Sequence, residues 1–230
     1  MKDISEIFED IVNAIDNGIT INSTSIVDGK LRVFTCDTKW IRVGKKISGK
    51  LLNGTLVYSF VTNLLTDTYF DIDNVNIVSD ISAPKPTAMF GTKTATNNEW
   101  NLKTNNLLDK TPLIWCLELV NERHYGLESS LERDFELKIF FLDETDILNY
   151  VTKDHRLQVV KPMNTLAYEF KKVIDKNMLF KRIQNFNLLG FSRFGVESSV
   201  GMIENILDAN LSGSSIQLSL TKYKESDCKC

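Results

Sequence analysis

Short stretches rich in β-branched and aromatic residues follow one another from Lys30, with gaps too short to hold a helix. They cover residues 31–36, 40–43, 55–61 and 71–78. Such composition is typical of β-strands. A parallel pair of strands needs a crossover of about a dozen residues or more, which these gaps do not provide. The sequence therefore predicts an antiparallel meander in this part of the chain.

Two segments have the periodicity of amphipathic helices. In residues 3–17 the apolar side chains recur at intervals of three and four, and an Asp-x-x-Glu capping box precedes them. Residues 157–174 show the same spacing but contain Pro162. The second helix is therefore expected to begin near Lys161 or to be kinked there.

Further strands are predicted in the second half of the chain, at residues 113–120, 135–142, 183–194 and 215–220. In the second of these, the apolar residues at odd positions point to one face, which is expected to be core. The predicted fold class is α+β, with an antiparallel sheet packed against two main helices in one domain spanning residues 1–230.

Residues 82–111 combine Pro84, Pro86 and Gly91 with many threonines and asparagines, and they show no periodicity. They predict a long surface loop or arm, a feature that is usually functional when it occurs in a compact domain. Trp100 lies within this segment. A lone aromatic in polar sequence favours contact with a partner, although a place in the core is the equal alternative.

Composition excludes several classes of protein. The 230 residues carry a formal charge of −3 and contain no apolar run near the ~20 residues of a membrane span, and the acidic amphipathic start is unlike a signal peptide. A pI of about 5.5 argues against a protein that reads duplex DNA by neutralising its phosphates. The cysteine positions form no disulfide ladder or metal clip and favour a reducing compartment: Cys36, Cys116, Cys228 and Cys230.

Neither a nucleophile paired with a base nor a phosphate-binding loop is evident, so the sequence predicts no enzyme and no cofactor. The two histidines, His124 and His155, stand alone in polar sequence and are expected to be solvated. Three carboxylates follow the strand at 135–142, namely Asp143, Glu144 and Asp146. They predict a solvated turn, with a divalent-metal enzyme as the weaker alternative. The terminal cysteine pair predicts a frayed end, since two thiols alone cannot complete a tetrahedral metal site.

Charge is unevenly distributed along the chain. Residues 118–146 hold nine acidic and three basic side chains, whereas residues 150–193 hold nine basic and three acidic ones. An ordinary solvated surface would explain this, and so would a subunit with two unlike, complementary faces, as a closed ring requires. The predicted interface residues are Glu128, Glu132 and Asp134 on one face, Lys171, Lys172, Lys181 and Arg182 on the other, and Trp100 in the arm.

The order of several short motifs resembles a known group of proteins. The motifs are the run from Asp37 to Ile47, Phe90-Gly91-Thr92, Trp100, the run from Thr111 to Trp115, and Lys161-Pro162-Met163 with Leu166. In this order they are similar to neck and tail-completion proteins of tailed bacteriophages, especially crAss-like and other phages of Bacteroidota. The likeness covers residues 1–176 and includes no catalytic signature.

The resemblance implies a virion structural protein of the tail-terminator or connector-ring type, made in the host cytoplasm. Its expected partners are further copies of itself in a ring and neighbouring virion proteins such as the portal, with duplex DNA passing through the ring. No membrane is implied. The alternative is a monomeric adaptor or ligand-binding module that uses the 82–111 arm.

Overall fold

A computed structural model of the chain describes residues 3–103, 106–125, 132–146, 148–177, 180–181, 186–191, 194, 196–199, 202–205, 207 and 209–222. Two sheets of six and five strands, a two-stranded ribbon and several helices make up the fold. The predicted α+β class and the single domain are confirmed, since both sheets and the helices contribute to one core.

The first sheet, here called the N-terminal sheet, has six antiparallel strands. They are β1 (Ser23–Val27), β2 (Lys30–Phe34), β3 (Lys46–Lys50), β4 (Leu56–Leu65), β5 (Tyr69–Ile72) and β6 (Ser79–Ser82). The order across the sheet is β1, β2, β5, β4, β3, β6. The predicted antiparallel pairing is therefore confirmed, but the order is not that of a simple meander. Asp28 and Gly29, both at positive φ, form the two-residue turn between β1 and β2 that favours a hairpin.

The stretch 40–43 is not a strand, contrary to prediction. It lies in the connection from β2 to β3, where the Ile41 amide donates to the Thr38 carbonyl and the Lys45 amide donates to the Arg42 carbonyl, closing two successive turns. The indole of Trp40 is buried and donates to the Pro84 carbonyl at 2.7 Å. The apolar residues of this connection are buried in the core although they are not in a strand. Composition alone therefore led to a wrong strand prediction.

The second sheet, here called the C-terminal sheet, has five strands. They are β7 (Thr87–Gly91), β8 (Leu113–Tyr125), β9 (Glu132–Glu144), β10 (Asn187–Phe191) and β13 (Leu211–Lys222), in the order β10, β13, β9, β8, β7. Strands β11 (Val196–Ser199) and β12 (Met202–Asn205) form the separate ribbon. All neighbours in the C-terminal sheet are antiparallel except β7 and β8, which are parallel.

The predicted arm at 82–111 is wrong, because this segment belongs to the fold. It contains β7 and the helices α2 (Lys93–Leu102) and α3 (Leu107–Lys110). Parallel strands need a crossover connection, and the two helices supply it between β7 and β8. Helix α2 is mostly polar and buries only Thr96 and Trp100, which explains why its sequence shows no clear periodicity.

Two helical regions pack on one face of the C-terminal sheet. Helix α1 (Ile4–Asn13) has the predicted capping box, and the second region runs through α4 (Thr152–His155), a π-helical turn (Arg156–Val160) and α5 (Lys161–Lys176). The helix thus begins before Pro162, which lies in the first turn of α5. Both predicted helices are confirmed. The opposite face of the sheet carries a smaller cluster around Trp100 and Trp115.

Candidate functional site

The predicted basic face is engaged within its own helix where the structure describes it. Lys171 Nζ lies 2.5 Å from Asp175 Oδ2, and Lys172 Nζ lies 2.6 Å from Glu169 Oε1, both within α5. The Lys181 amide donates to the Thr221 carbonyl at 2.9 Å. Local carboxylates therefore already neutralise the charges of the two helix lysines.

The predicted acidic face is only partly described. The Thr221 hydroxyl donates to Asp134 Oδ1 at 2.6 Å, so this carboxylate is bonded across the β9–β13 ladder. Glu132 begins β9. Glu128 and Arg182 lie outside the described residues, so the contact between the acidic and basic faces remains a prediction.

Trp100 does not project toward a partner, contrary to the predicted interface role. It is 3% exposed and packs in the smaller core cluster. Lys110 Nζ lies 4.7 Å from the centre of the Trp100 ring and donates to the Trp100 carbonyl at 2.7 Å. The lysine covers the indole and bonds its backbone, which fixes α2 against α3.

Asp143 is the largest departure from the sequence predictions, because it is a buried ion-pair residue and not part of a solvated turn. Arg42 Nε lies 3.0 Å from Asp143 Oδ2, and Lys45 Nζ contacts Asp143 Oδ1. Lys45 Nζ also donates to the Thr111 hydroxyl at 2.6 Å, and Arg42 Nη2 donates to the Glu144 carbonyl at 3.0 Å. We call Arg42, Lys45 and Asp143 the buried ion cluster.

The buried ion cluster joins the two sheets. Its cations lie in the connection between β2 and β3, and its carboxylate lies near the end of β9. Burial alone would raise the pKa of Asp143, but the charges of Lys45 and Arg42 outweigh it and hold that pKa below its usual value. Burial lowers the pKa of Lys45, and the Asp143 charge opposes this effect. Because the carboxylate is already paired with two cations, the arrangement is typical of a structural contact.

His155 is buried, so the prediction that it is solvated is wrong. Its Nδ1 lies 2.8 Å from the Thr145 hydroxyl and 3.4 Å from the Ser212 hydroxyl, and Tyr150 packs edge-on against the ring. These contacts tie the start of the second helical region to the ends of β9 and β13. The side chain of His124 lies outside the part of the chain whose side chains are described.

No three His, Cys, Asp or Glu side chains converge as metal ligands within the described ranges. The three carboxylates considered as metal ligands, those of Asp143, Glu144 and Asp146, do not converge there. Asp143 pairs with the two cations of the buried ion cluster, and Asp146 accepts hydrogen bonds from the Leu148 and Asn149 amides. Cys228 and Cys230 lie outside the described residues. In the same ranges, no helix is both long and apolar enough to cross a bilayer.

The outer face of the N-terminal sheet carries the most distinctive exposed surface. On β4, Leu56, Tyr58 and Phe60 alternate with inward-facing residues and are all exposed, Tyr58 to 57%. Residues two apart on a strand lie on one face, so the three side chains form a continuous apolar row. We call this row the β4 ridge. Sequence alternation did not reveal it, because the intervening positions include Val57 and Val61, which are apolar as well.

Charged side chains flank the β4 ridge. On the adjacent strand, Lys46 lies opposite Phe60, and its Nζ lies 4.4 Å from the centre of the Tyr58 ring and 3.2 Å from Asp109 Oδ1. Lys50 lies opposite Leu56. An apolar centre with a charged rim is the composition of many protein–protein interfaces.

The polar side of the outer face is held rigidly by an ion pair. Arg32 binds both carboxylate oxygens of Asp71 at 2.7 and 2.8 Å, and Asn63 donates to the same carboxylate. The hydrogen bond from Arg32 is the main cause that lowers the pKa of Asp71. This fixed geometry gives the surface beside the β4 ridge a defined shape.

The chain matches no protein-family model, no curated protein and no solved structure in comparisons of sequence and fold.

Proposed function

We propose that the chain is a structural subunit that assembles with copies of itself into a ring at the neck or tail of a tailed phage, as a tail terminator or head–tail connector. In that role it lines the conduit for DNA, contacts neighbouring virion proteins, and catalyses no reaction. The observation that carries the proposal is the β4 ridge. Exposed contiguous apolar rows with charged rims mark sites of protein association.

Two further features support an assembly role. The motif order resembles phage neck and tail-completion proteins, and the two most deeply buried charged side chains described, Asp143 and Lys45, are paired with each other. Paired and desolvated groups of this kind stabilise a fold or fix its geometry more readily than they exchange protons with a substrate.

The alternative function, a monomeric adaptor, depended on residues 82–111 being a free arm. That segment forms β7, α2 and α3 within the fold. Deleting it would therefore remove a strand and a crossover, and the adaptor has lost the feature that suggested it.

The proposal is tested by measuring mass with light scattering and by imaging the purified protein with negative stain, alone and with the products of neighbouring virion genes. We expect rings of uniform diameter. The double variant Tyr58→Ser/Phe60→Ser should raise the dissociation constant of the assembly about tenfold or more. Aromatic side chains often contribute most of the association energy at an interface. The control is Leu52→Ser, which changes an exposed apolar residue in the turn after β3. Only monomers at high concentration, also with virion neighbours present, would overturn the proposal.

A further inference from the structure

Each of the two sheets has two outer strands, and the four edges differ in how they are protected. An uncovered strand edge with unpaired backbone groups pairs readily with another chain, and proteins block such edges with charges, prolines, bulges or covering helices. The outer strands are β1 and β6 in the N-terminal sheet and β7 and β10 in the C-terminal sheet. Comparing their protection shows which edges are available for pairing.

Two of the edges carry protection. Strand β6 contains Asp80 at a positive φ of 50°, its ladder with β3 has a register shift, and Pro84 follows it closely. Strand β7 packs against α1 and α2, with Phe8 of α1 lying 6.2 Å from Phe90 between ring centres. Neither edge presents a regular, uncovered ladder.

The other two edges lack charges, prolines and bulges among their described residues, although one face of β10 contacts the π-helical turn. Strand β1 reads Ser-Thr-Ser-Ile-Val and strand β10 reads Asn-Leu-Leu-Gly-Phe, so neither contains a charge or a proline. Ile26 of β1 is 68% exposed and Leu189 of β10 is 64% exposed. Among the described strands, β1 pairs only with β2 and β10 only with β13. The two edges are equally long, at five residues each.

A groove lies beside β10, between that strand and the second helical region. It has a volume of about 620 Å³ and is lined on the helix side by Thr152, Arg156, Val160 and Asn164. The strand is held close to the π-helical turn, since a Cβ on Gly190 would lie only 2.7 Å from Val160 Cγ1. Side chains of an added strand that face the helix would project toward this groove.

Two features of the groove suit an incoming chain. The buried Oδ1 of Asn164 accepts no hydrogen bond from the described residues, so a donor is missing there. Arg156 contributes a positive charge, whereas the turn that follows β1 carries Asp28. Asp28, in the turn between β1 and β2, therefore carries the charge opposite to that of Arg156, while the same hairpin also carries Lys30 and Arg32.

We infer that β1 of one copy adds to the β10 edge of the next copy and continues the C-terminal sheet across the subunit boundary. Main-chain hydrogen bonds along five residues would supply the contact, as in other cases of strand addition. Because the two edges are unlike, the contact is head-to-tail, and a head-to-tail contact with the correct rotation closes into a ring. The inference rests on the proposed ring assembly and specifies its subunit interface.

Engineered cysteines test this contact directly. Ser25→Cys and Leu189→Cys lie at the centres of the two strands, so a centred pairing brings them together in either strand direction. The background carries Cys36→Ser, Cys228→Ser and Cys230→Ser and retains the buried Cys116. After mild oxidation with diamide, the double variant should give a ladder of covalent oligomers on a non-reducing gel. A mixture of the two single variants should give dimers only, and each single variant alone should give none.

The matched control moves one cysteine to the protected edge, using Ser79→Cys with Leu189→Cys, and should give no ladder.

As a second test, Leu189→Lys should abolish assembly with an unchanged circular dichroism spectrum. The control Leu157→Lys changes an exposed residue of the π-helical turn and should leave assembly intact.

The outcomes separate the two proposals. If the wild type forms oligomers but the cysteine pair gives no ladder, or if a single variant crosslinks to itself, the strand-addition contact is overturned while ring assembly stands. If the wild type is monomeric under every condition, including with virion neighbours, the proposed function itself is overturned.

Discussion

Replacing Asp143 with asparagine removes one charge from the buried ion cluster and preserves the shape of the side chain. Arg42 and Lys45 would then lie in the interior without their shared counter-charge. Breaking a buried ion pair by removing one partner destabilises proteins by roughly 3–5 kcal/mol, because the remaining charge stays desolvated. Asp143→Asn is therefore expected to be strongly destabilising.

The contacts of Asp143 narrow the expected loss of unfolding free energy within the range of roughly 3–5 kcal/mol. The side chains of Asp143 and Lys45 are each 1% exposed, which leaves little access for compensating water. Glu144 Oε2 lies 3.8 Å from Arg42 Nη2 and can take over part of the pairing. We expect a loss of about 4 kcal/mol, which in a chain of this length lowers the melting temperature by roughly 8–16 °C.

Urea denaturation followed by tryptophan fluorescence, at one fixed protein concentration, measures the loss. Lys45→Met and the double variant Lys45→Met/Asp143→Asn complete a double-mutant cycle, and the double variant should lose less than the two single changes added together. The control is Lys50→Met, because Lys50 forms an exposed pair with Asp80 whose removal should cost only about 0–1 kcal/mol. The reasoning is refuted if Asp143→Asn costs no more than this control, or if the two single effects simply add.

Three other predictions follow from the buried groups. Because the neighbouring cations depress the pKa of Asp143, its ionised form stabilises the fold above the ordinary aspartate pKa of about 3.9. This stabilisation disappears as the pH falls through the lower pKa of the folded state. The difference in unfolding free energy between wild type and Asp143→Asn should therefore shrink between about pH 7 and pH 3, and a constant difference would contradict this reasoning. Trp100→Ala should lower the free energy of unfolding by about 3–5 kcal/mol in thermal or urea unfolding, whereas an unchanged melting temperature would contradict its role in the smaller core cluster. Burial raises the pKa of the Cys116 thiol to about 12. In a Cys228→Ser/Cys230→Ser background at about pH 8, a thiol reagent should therefore modify the exposed Cys36 and leave Cys116 unmodified. Rapid reaction of both thiols would contradict this prediction.

Sequence patterns identified the elements whose burial follows a simple period. Helix α1, the central part of β9 and the helix around Pro162 each have one apolar face, so periodicity located them. Segment 82–111 was misread because α2 contacts the core through only two residues and its other positions are polar. The crossover could have been predicted only if β7 and β8 were known to be parallel. Because the direction of a strand depends on tertiary packing, the sequence did not provide this information.

The ionisable residues show a different limit. Asp143 continues the odd-numbered inward positions of β9 after Phe141, so strand parity did indicate that it faces the core. Its acidic character and two acidic neighbours outweighed that indication. Its partners Arg42 and Lys45 lie about a hundred residues earlier, Arg42 within the stretch 40–43 that was misassigned as a strand and Lys45 just after it, and no local pattern connects them to β9. Long-range pairing of this kind requires coordinates.

The position of β13 has a consequence for how the protein is made. This strand is the last described in the chain, yet it lies inside the C-terminal sheet and pairs with β9 along its full length. While the ribosome is still synthesising the chain, the backbone groups on one edge of β9 are unpaired and β10 has no strand to join. Closure of the sheet must therefore wait until β13 has left the exit tunnel, and a premature stop before Leu211 would leave β9 and β10 without the strand that lies between them.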